Sequence, residues 1–166
     1  MSERGEYRHK GLASSSNIRL LRLELNSIAE GLRGEMCEYP IGLALPYICI
    51  SYAWGANGDK TSNIDIQGES LGLRTPISTA LRWIRAGMLD QQTLAPVMVW
   101  IDYVCISQED NDERAVQVGH MKTLYSQAEL VFVFLGGEDQ GSEQIPELYN
   151  RIRQTYVRYY NEPKTR

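Results

Sequence analysis

Histidine is nearly absent from this chain and cysteine is sparse. Its 166 residues include two histidines, His9 and His120, and three cysteines, Cys37, Cys49 and Cys105. Two isolated histidines cannot supply the ligands of a zinc centre, and no C-x-x-C spacing adds thiolates, so no metal site is expected. An odd, scattered set of cysteines suits reduced thiols in an intracellular protein rather than a disulfide framework. A basic excess is missing too. Seventeen Lys and Arg stand against 21 Asp and Glu, a net charge of -4, which argues against nucleic acid as a partner. No apolar run approaches the ~20 residues of a membrane span. The opening "MSERGEYRHKGLASSS" lacks the apolar core of a signal peptide, so a cytoplasmic location is expected.

What remains is an ordinary globular composition, 43% hydrophobic and 23% charged, long enough for one domain with its own core. Residues 1–17 are polar and are expected to form a disordered lead-in. "NIRLLRLEL" (Asn17–Leu25) suits a short strand, and Ala29–Pro40 has no clear period and is expected to be a connector. "PYICISYAW" (Pro46–Trp54) is a near-continuous apolar run, the pattern of a strand covered on both faces of a parallel sheet. "IDIQGESLGL" (Ile64–Leu73) alternates around Gly68-Glu69 and predicts a β-hairpin. A helix follows, with Thr75 as N-cap and Pro76 in the first position. Its buried stripe is Ile77, Leu81, Ile84 and Met88.

"PVMVWIDYVCI" (Pro96–Ile106) predicts a second buried strand, and "LVFVFLGG" (Leu130–Gly137) a third. The helix between them, roughly Asn111 to Ala128, is expected to bury Val118, Met121, Tyr125 and Ala128. Strand, helix and strand at this spacing make a βαβ unit. "IPELYNRIRQTYVRYY" is helical by Leu148, Ile152, Tyr156 and Tyr159 and runs to the chain end, as in a truncated extension. The expected layout is therefore a core over residues 18–137 and a C-terminal helical extension over 138–166.

The chemistry concentrates in "VWIDYVCISQEDNDERAVQVGHM" (Val99–Met121). Asp102 lies at the carboxyl end of a predicted strand, where open α/β sheets place their ligands. "SYAWG" ends the preceding strand in the same way. Parallel neighbours would set Ser51, Tyr52 and Trp54 across one crevice from Asp102 and Glu113. Trp54 there can stack on a ring; equally, Trp54 and Tyr52 can be rim aromatics packing the loop. Asp110-x-x-Glu113 also has the form of a capping box, which accounts for Glu113 without any chemistry. A cap does not account for Arg114 and Gln117 beside it. Cys105 has no histidine poised to activate it and suits a packed thiol. "GANGDKTS" superficially matches a phosphate-binding P-loop, but Asp59 stands where glycine must precede the lysine, so the match fails.

These residues in this order resemble the fungal heterokaryon incompatibility (HET) domain. The matching positions are Ser51, Tyr52, Trp54 and Gly55, then Trp100, Ile101, Asp102, Cys105, Ile106 and Gln108. Asp110, Glu113, Arg114, Gln117, Val118, Met121, Tyr125, Ala128, Leu135 and Gly136 follow. Ile50 and Ser107 depart from the family's usual Leu and Asn. The resemblance implies a role in self/non-self recognition that triggers programmed cell death, through self-association. It also implies a three-layer, flavodoxin- or TIR-like fold with a mostly parallel sheet. Many TIR relatives cleave NAD at the nicotinamide–ribose bond; others only recruit like domains as adaptors. On the first analogy Glu113 is the catalytic carboxylate, and Ser51, Tyr52, Trp54, Asp102, Arg114 and Gln117 line the nucleotide site. NAD would be substrate, and no cofactor is required.

Overall fold

A computed structural model of the chain describes residues 5–25, 30–52, 60–90 and 95–135. Strand β1 (Asn17–Leu23) is buried at almost every position, because it sits mid-sheet between two neighbours. Strand β2 (Leu32–Pro40) pairs antiparallel with it along its whole length, from Asn17 opposite Pro40 to Leu23 opposite Gly34. The expected connector over Ala29–Pro40 is thus largely a strand. Its only buried positions are Leu32 and Gly34, so no apolar alternation marks it; its partner strand makes it one. Gly34 is needed there. A Cβ would fall 2.7 Å from Leu21 Cδ1 and 2.9 Å from the Arg22 carbonyl oxygen.

Strand β3 (Ile48–Tyr52) is the expected apolar strand. Strands β4 (Lys60–Ile66) and β5 (Glu69–Arg74) form the expected hairpin. Its turn lies at Gln67-Gly68, one residue earlier than the alternation suggested. Both residues have positive φ, 53° and 95°, as a two-residue primed turn requires. Helix α1 (Thr75–Asp90) buries Ile77, Leu81, Ile84 and Met88, the stripe its period predicts. Strand β6 (Val97–Trp100) is followed directly by a single helical turn, α2 (Asp102–Cys105). The predicted strand over Pro96–Ile106 therefore stops at Trp100. The Asp102 carboxylate accepts the Tyr103 amide at 2.6 Å, and the Cys105 amide closes the turn on the Ile101 carbonyl at 2.8 Å.

Helix α3 (Asn111–Gln127) and strand β7 (Leu130–Phe134) complete the described elements. Val118 is exposed rather than buried, and Met121, Tyr125 and Ala128 are only partly covered. Gln117 and Leu124 are the buried residues of α3. The helix turns a polar side inward because Gln117 donates to the Asn17 carbonyl at 2.7 Å. Among the described strands β7 lies at the sheet edge and is not fully buried: Phe132 and Phe134 face inward while Val131 and Val133 are exposed.

The sheet runs β5-β4-β2-β1-β6-β3-β7. Parallel pairing joins β2 to β4, and β3 to both β6 and β7. The remaining three pairings are antiparallel, and two of them, β1 with β2 and β4 with β5, hold the longest registers. The fold is α/β on one mixed sheet; the mostly parallel sheet expected of a flavodoxin- or TIR-like domain is not what these strands form. The reason is local. Short connections between β1 and β2 and between β4 and β5 permit only antiparallel pairing, whereas the helix-bearing connections allow parallel strands.

The polar lead-in is not loose where described. Ser70 makes backbone hydrogen bonds to both Gly5 and Tyr7 across a β-bridge at Glu6, its amide donating to the Gly5 carbonyl and its carbonyl accepting from the Tyr7 amide. His9 Nε2 donates to the Val104 carbonyl at 2.8 Å, and the Arg19 guanidinium to the Lys10 carbonyl. Residues 53–59, with Trp54 and Gly55, lie outside the described residues, as do residues 136–166 with the predicted C-terminal helix.

Candidate functional site

Two polar centres form around the Val99–Met121 stretch, where one crevice was expected. The first is at the carboxyl ends of β3 and β6, adjacent parallel strands in which Cys49 lies opposite Trp100. Alternation along β3 sends Ser51 and Tyr52 to opposite faces of the sheet. Tyr52 is in register with Phe134, whose ring meets Trp83 of α1 edge-on at 5.9 Å. Ser51 instead faces Tyr125 of α3, whose ring packs edge-on against Trp100 at 5.7 Å.

Asp102 stands at the strand end between these two faces. The Tyr52 hydroxyl lies within the influence of its carboxylate. Burial foremost, then the Asp102 carboxylate, push the Tyr52 pKa well up, so the phenol stays protonated. Tyr125 is likewise raised, first by burial and then by the nearby Cys49 thiol. Gln108 secures the following turn, donating to the carbonyls of Asp102 and Ile106, both at 3.1 Å. The guanidinium of Arg74, at the end of β5, lies 5.3 Å from the Tyr103 ring centre. Sequence reasoning missed Arg74, Tyr103 and Tyr125. Tyr103 and Tyr125 were visible within the motif stretch; Arg74 arrives from a strand at the far edge of the sheet and left no local signal.

The second centre holds Glu113, and it is an ion pair. Arg19 of β1 donates through both terminal nitrogens to the two Glu113 oxygens, at 2.5 and 2.9 Å. The Ser107 amide adds a third bond at 2.9 Å. Side-chain exposure is 5% for Arg19 and 9% for Glu113, so the pair is desolvated. Arg19 also donates to the Cys105 carbonyl at 3.3 Å. Burial alone would raise the Glu113 pKa. The Arg19 hydrogen bonds, the Ser107 amide and the charges of Arg19 and His9 more than offset it and hold the carboxyl below its usual value. Asp110 does cap α3, accepting the amides of Asp112 at 3.0 Å and Glu113 at 2.9 Å. Only half of the expected capping box acts as a cap, since the Glu113 carboxylate reaches beyond the helix to Ser107 and Arg19.

Of the predicted site residues, Tyr52 and Asp102 lie at neighbouring strand ends and influence one another, while Ser51 points to the opposite face, towards Tyr125. Glu113 stands apart with Arg19. Arg114 is exposed and donates to the Asn111 side chain at 2.9 Å. Gln117 is buried against the Asn17 carbonyl, so it braces α3 on β1 rather than lining the crevice. Cys105 is buried and its pKa is pushed up to about 12, mainly by desolvation, which fits the packed thiol. His120 Nε2 donates to the Ser15 carbonyl at 3.0 Å. Among the described residues, no group of three or more His, Cys, Asp or Glu could hold a metal ion. No described helix is long and apolar enough to cross a membrane.

The fold and site define an α/β domain with a carboxylate and aromatic cluster at the carboxyl ends of neighbouring parallel strands. The profile of the heterokaryon incompatibility protein (HET) family matches residues 47–166. The chain is also 32% identical over 152 residues to heterokaryon incompatibility protein 6, OR allele, of Neurospora crassa. That match covers 86% of this chain and 22% of the relative. This chain belongs to the heterokaryon incompatibility family, and it spans about a fifth of the length of the curated relative it matches. No solved structure matches it.

Proposed function

We propose that this domain is the signalling unit of a fungal self/non-self recognition protein. It triggers programmed cell death by self-association and holds NAD in the crevice at Tyr52 and Asp102. The observation that carries the binding site is the Asp102 carboxylate acting on the Tyr52 hydroxyl at the carboxyl ends of two neighbouring parallel strands, a setting suited to a ribose hydroxyl. Self-association is supported by β7, an edge strand whose outward Val131 and Val133 are 40% and 49% exposed.

Cleavage of the nicotinamide–ribose bond builds positive charge on the ribose, which a nearby carboxylate stabilises. In this conformation both Glu113 oxygens are engaged by Arg19, which favours a resting domain that binds without turnover. Hydrolysis then belongs to an assembled state in which Glu113 leaves Arg19. The same ion pair favours a second reading, a non-catalytic adaptor in which Glu113 is structural throughout.

Nicotinamide release, measured for the dilute domain and for the domain fused to an oligomerising partner, separates the two. Release only in the assembled form, abolished in Glu113→Gln, is expected of the enzyme. Absence of release in the assembled form sinks the hydrolase and leaves the adaptor. Undiminished release in Glu113→Gln removes Glu113 from the chemistry.

A further inference from the structure

The segment from Gly5 to Ser16 runs as a strap past the Arg19–Glu113 pair. One end is fastened to β5, where Ser70 binds the Gly5 carbonyl and the Tyr7 amide. At the other end the Ala13 amide donates to the Glu38 carboxylate at 2.8 Å, and the Ser15 carbonyl accepts from His120. Between them Tyr7 and His9 turn inward, their rings meeting edge-on at 5.2 Å, while Glu6, Arg8 and Lys10 are exposed. That alternation belongs to an extended segment with one face on the body of the domain.

The strap and Glu113 share a partner. Arg19 Nη2 donates both to Glu113 Oε2 at 2.9 Å and to the Lys10 carbonyl. Beside it His9 Nε2 takes the Val104 carbonyl at 2.8 Å and Arg19 Nη1 the Cys105 carbonyl at 3.3 Å. These are the last two carbonyls of α2, groups that a helix end leaves without partners of its own. The fastening is nevertheless light. Among the described residues the strap joins the sheet through a single bridge, whereas β1 is paired along both sides. Segments with few hydrogen bonds and little buried apolar surface open well below the free energy of global unfolding.

We propose that this strap is an autoinhibitory cover. While Lys10 and His9 hold it down, Glu113 stays bound to Arg19 in a desolvated pair; when it lifts, water reaches Arg19, the attraction weakens, and Glu113 is released with the sheet intact. The inference rests on the hydrolase reading of Glu113 and deepens it by naming what keeps the resting domain silent.

Amide hydrogen exchange, resolved by NMR, tests the cover in two variants of the chain. Glu6→Cys with Ser70→Cys locks the strap when oxidised, since bridge partners lie about 4.8 Å apart, within the span a disulfide closes. Tyr7→Ser with His9→Ser loosens it. The Ser107 amide, which donates to Glu113, is the reporter. Oxidation should slow its exchange roughly tenfold or more, reversibly on reduction, and the serine variant should speed it by a similar factor, with β1 amides unchanged in both. Ser107 exchange indifferent to the lock overturns the proposal. So does exchange at Ser107 that changes only in step with β1, because the strap then opens only by unfolding. Nicotinamide release from the assembled domain should stop on oxidation and return on reduction; undiminished release from the locked form overturns autoinhibition. Gated exchange with no release from any form leaves the cover standing and removes the hydrolase reading instead.

Discussion

Truncating Glu113 to alanine should strand a buried cation, and the cost can be worked out from its surroundings. Arg19 is 95% covered at its side chain, and its carboxylate partner supplies two of its hydrogen bonds. The carbonyls of Cys105 and Lys10 remain as partners, but neither carries a formal charge. Removing one member of a desolvated, hydrogen-bonded pair costs about 3–5 kcal/mol, since the other charge stays buried. Loss of an N-cap costs only about 0.5–2 kcal/mol. Chains of this size shift by roughly 2–4 °C per kcal/mol, so Glu113→Ala should melt roughly 6–20 °C lower by calorimetry or circular dichroism. Asp110→Ala, which removes the true cap and no buried charge, should fall by far less. The double variant Arg19→Met with Glu113→Leu should recover most of the loss, because replacing both charges removes the desolvation penalty with the attraction. A Glu113→Ala melting point no lower than that of Asp110→Ala would refute the reasoning, showing that water already screens the pair.

Two further predictions follow from the same neighbourhood. Acid should destabilise the domain in two windows. His9 is held neutral chiefly by burial, its native pKa below the ordinary value of about 6.5, so the unfolded chain protonates first and stability falls as pH drops below that value. Glu113 is depressed below its ordinary value of about 4.5, so its contribution is present above that pH and is lost as pH falls from there towards the native value. Urea melts from pH 8 to 3 should show both declines, and His9→Gln should erase the upper one and leave the lower one reduced but present. Thiol labelling with an aromatic disulfide at pH 8 should modify Cys37 slowly and spare Cys49 and Cys105. Both of those are buried with pKa values pushed up to about 12, and all three should label after unfolding; rapid native labelling of Cys105 would contradict the packing.

How much of this was legible in the sequence depended on the range of the interactions involved. The α1 stripe and the runs that became β3 and β6 are set by local periodicity and local burial, and both appear in windows of about ten residues. Strand β2 is held by long-range pairing to β1 and by the close approach at Gly34, so its own composition conceals it. The site divides along the same line. That Asp102 would meet the end of β3 follows from parallel neighbours and the strand-end rule. The partner of Glu113 lies 94 positions away, and no local rule reaches it. One signal was nevertheless present: Arg19 is the third residue of "NIRLLRLEL", a cation flanked by Ile18, Leu20 and Leu21. A charge carried into a buried strand demands an opposite charge from elsewhere, and the most economical donor was the carboxylate that its own helix cap did not need. Glu113 is therefore fixed by the same demand that hides it. For Glu113 to act on a ligand, the domain must first provide Arg19 with another anion or with water, and that requirement links any chemistry at Glu113 to a conformational change at β1 and the residues that cover it.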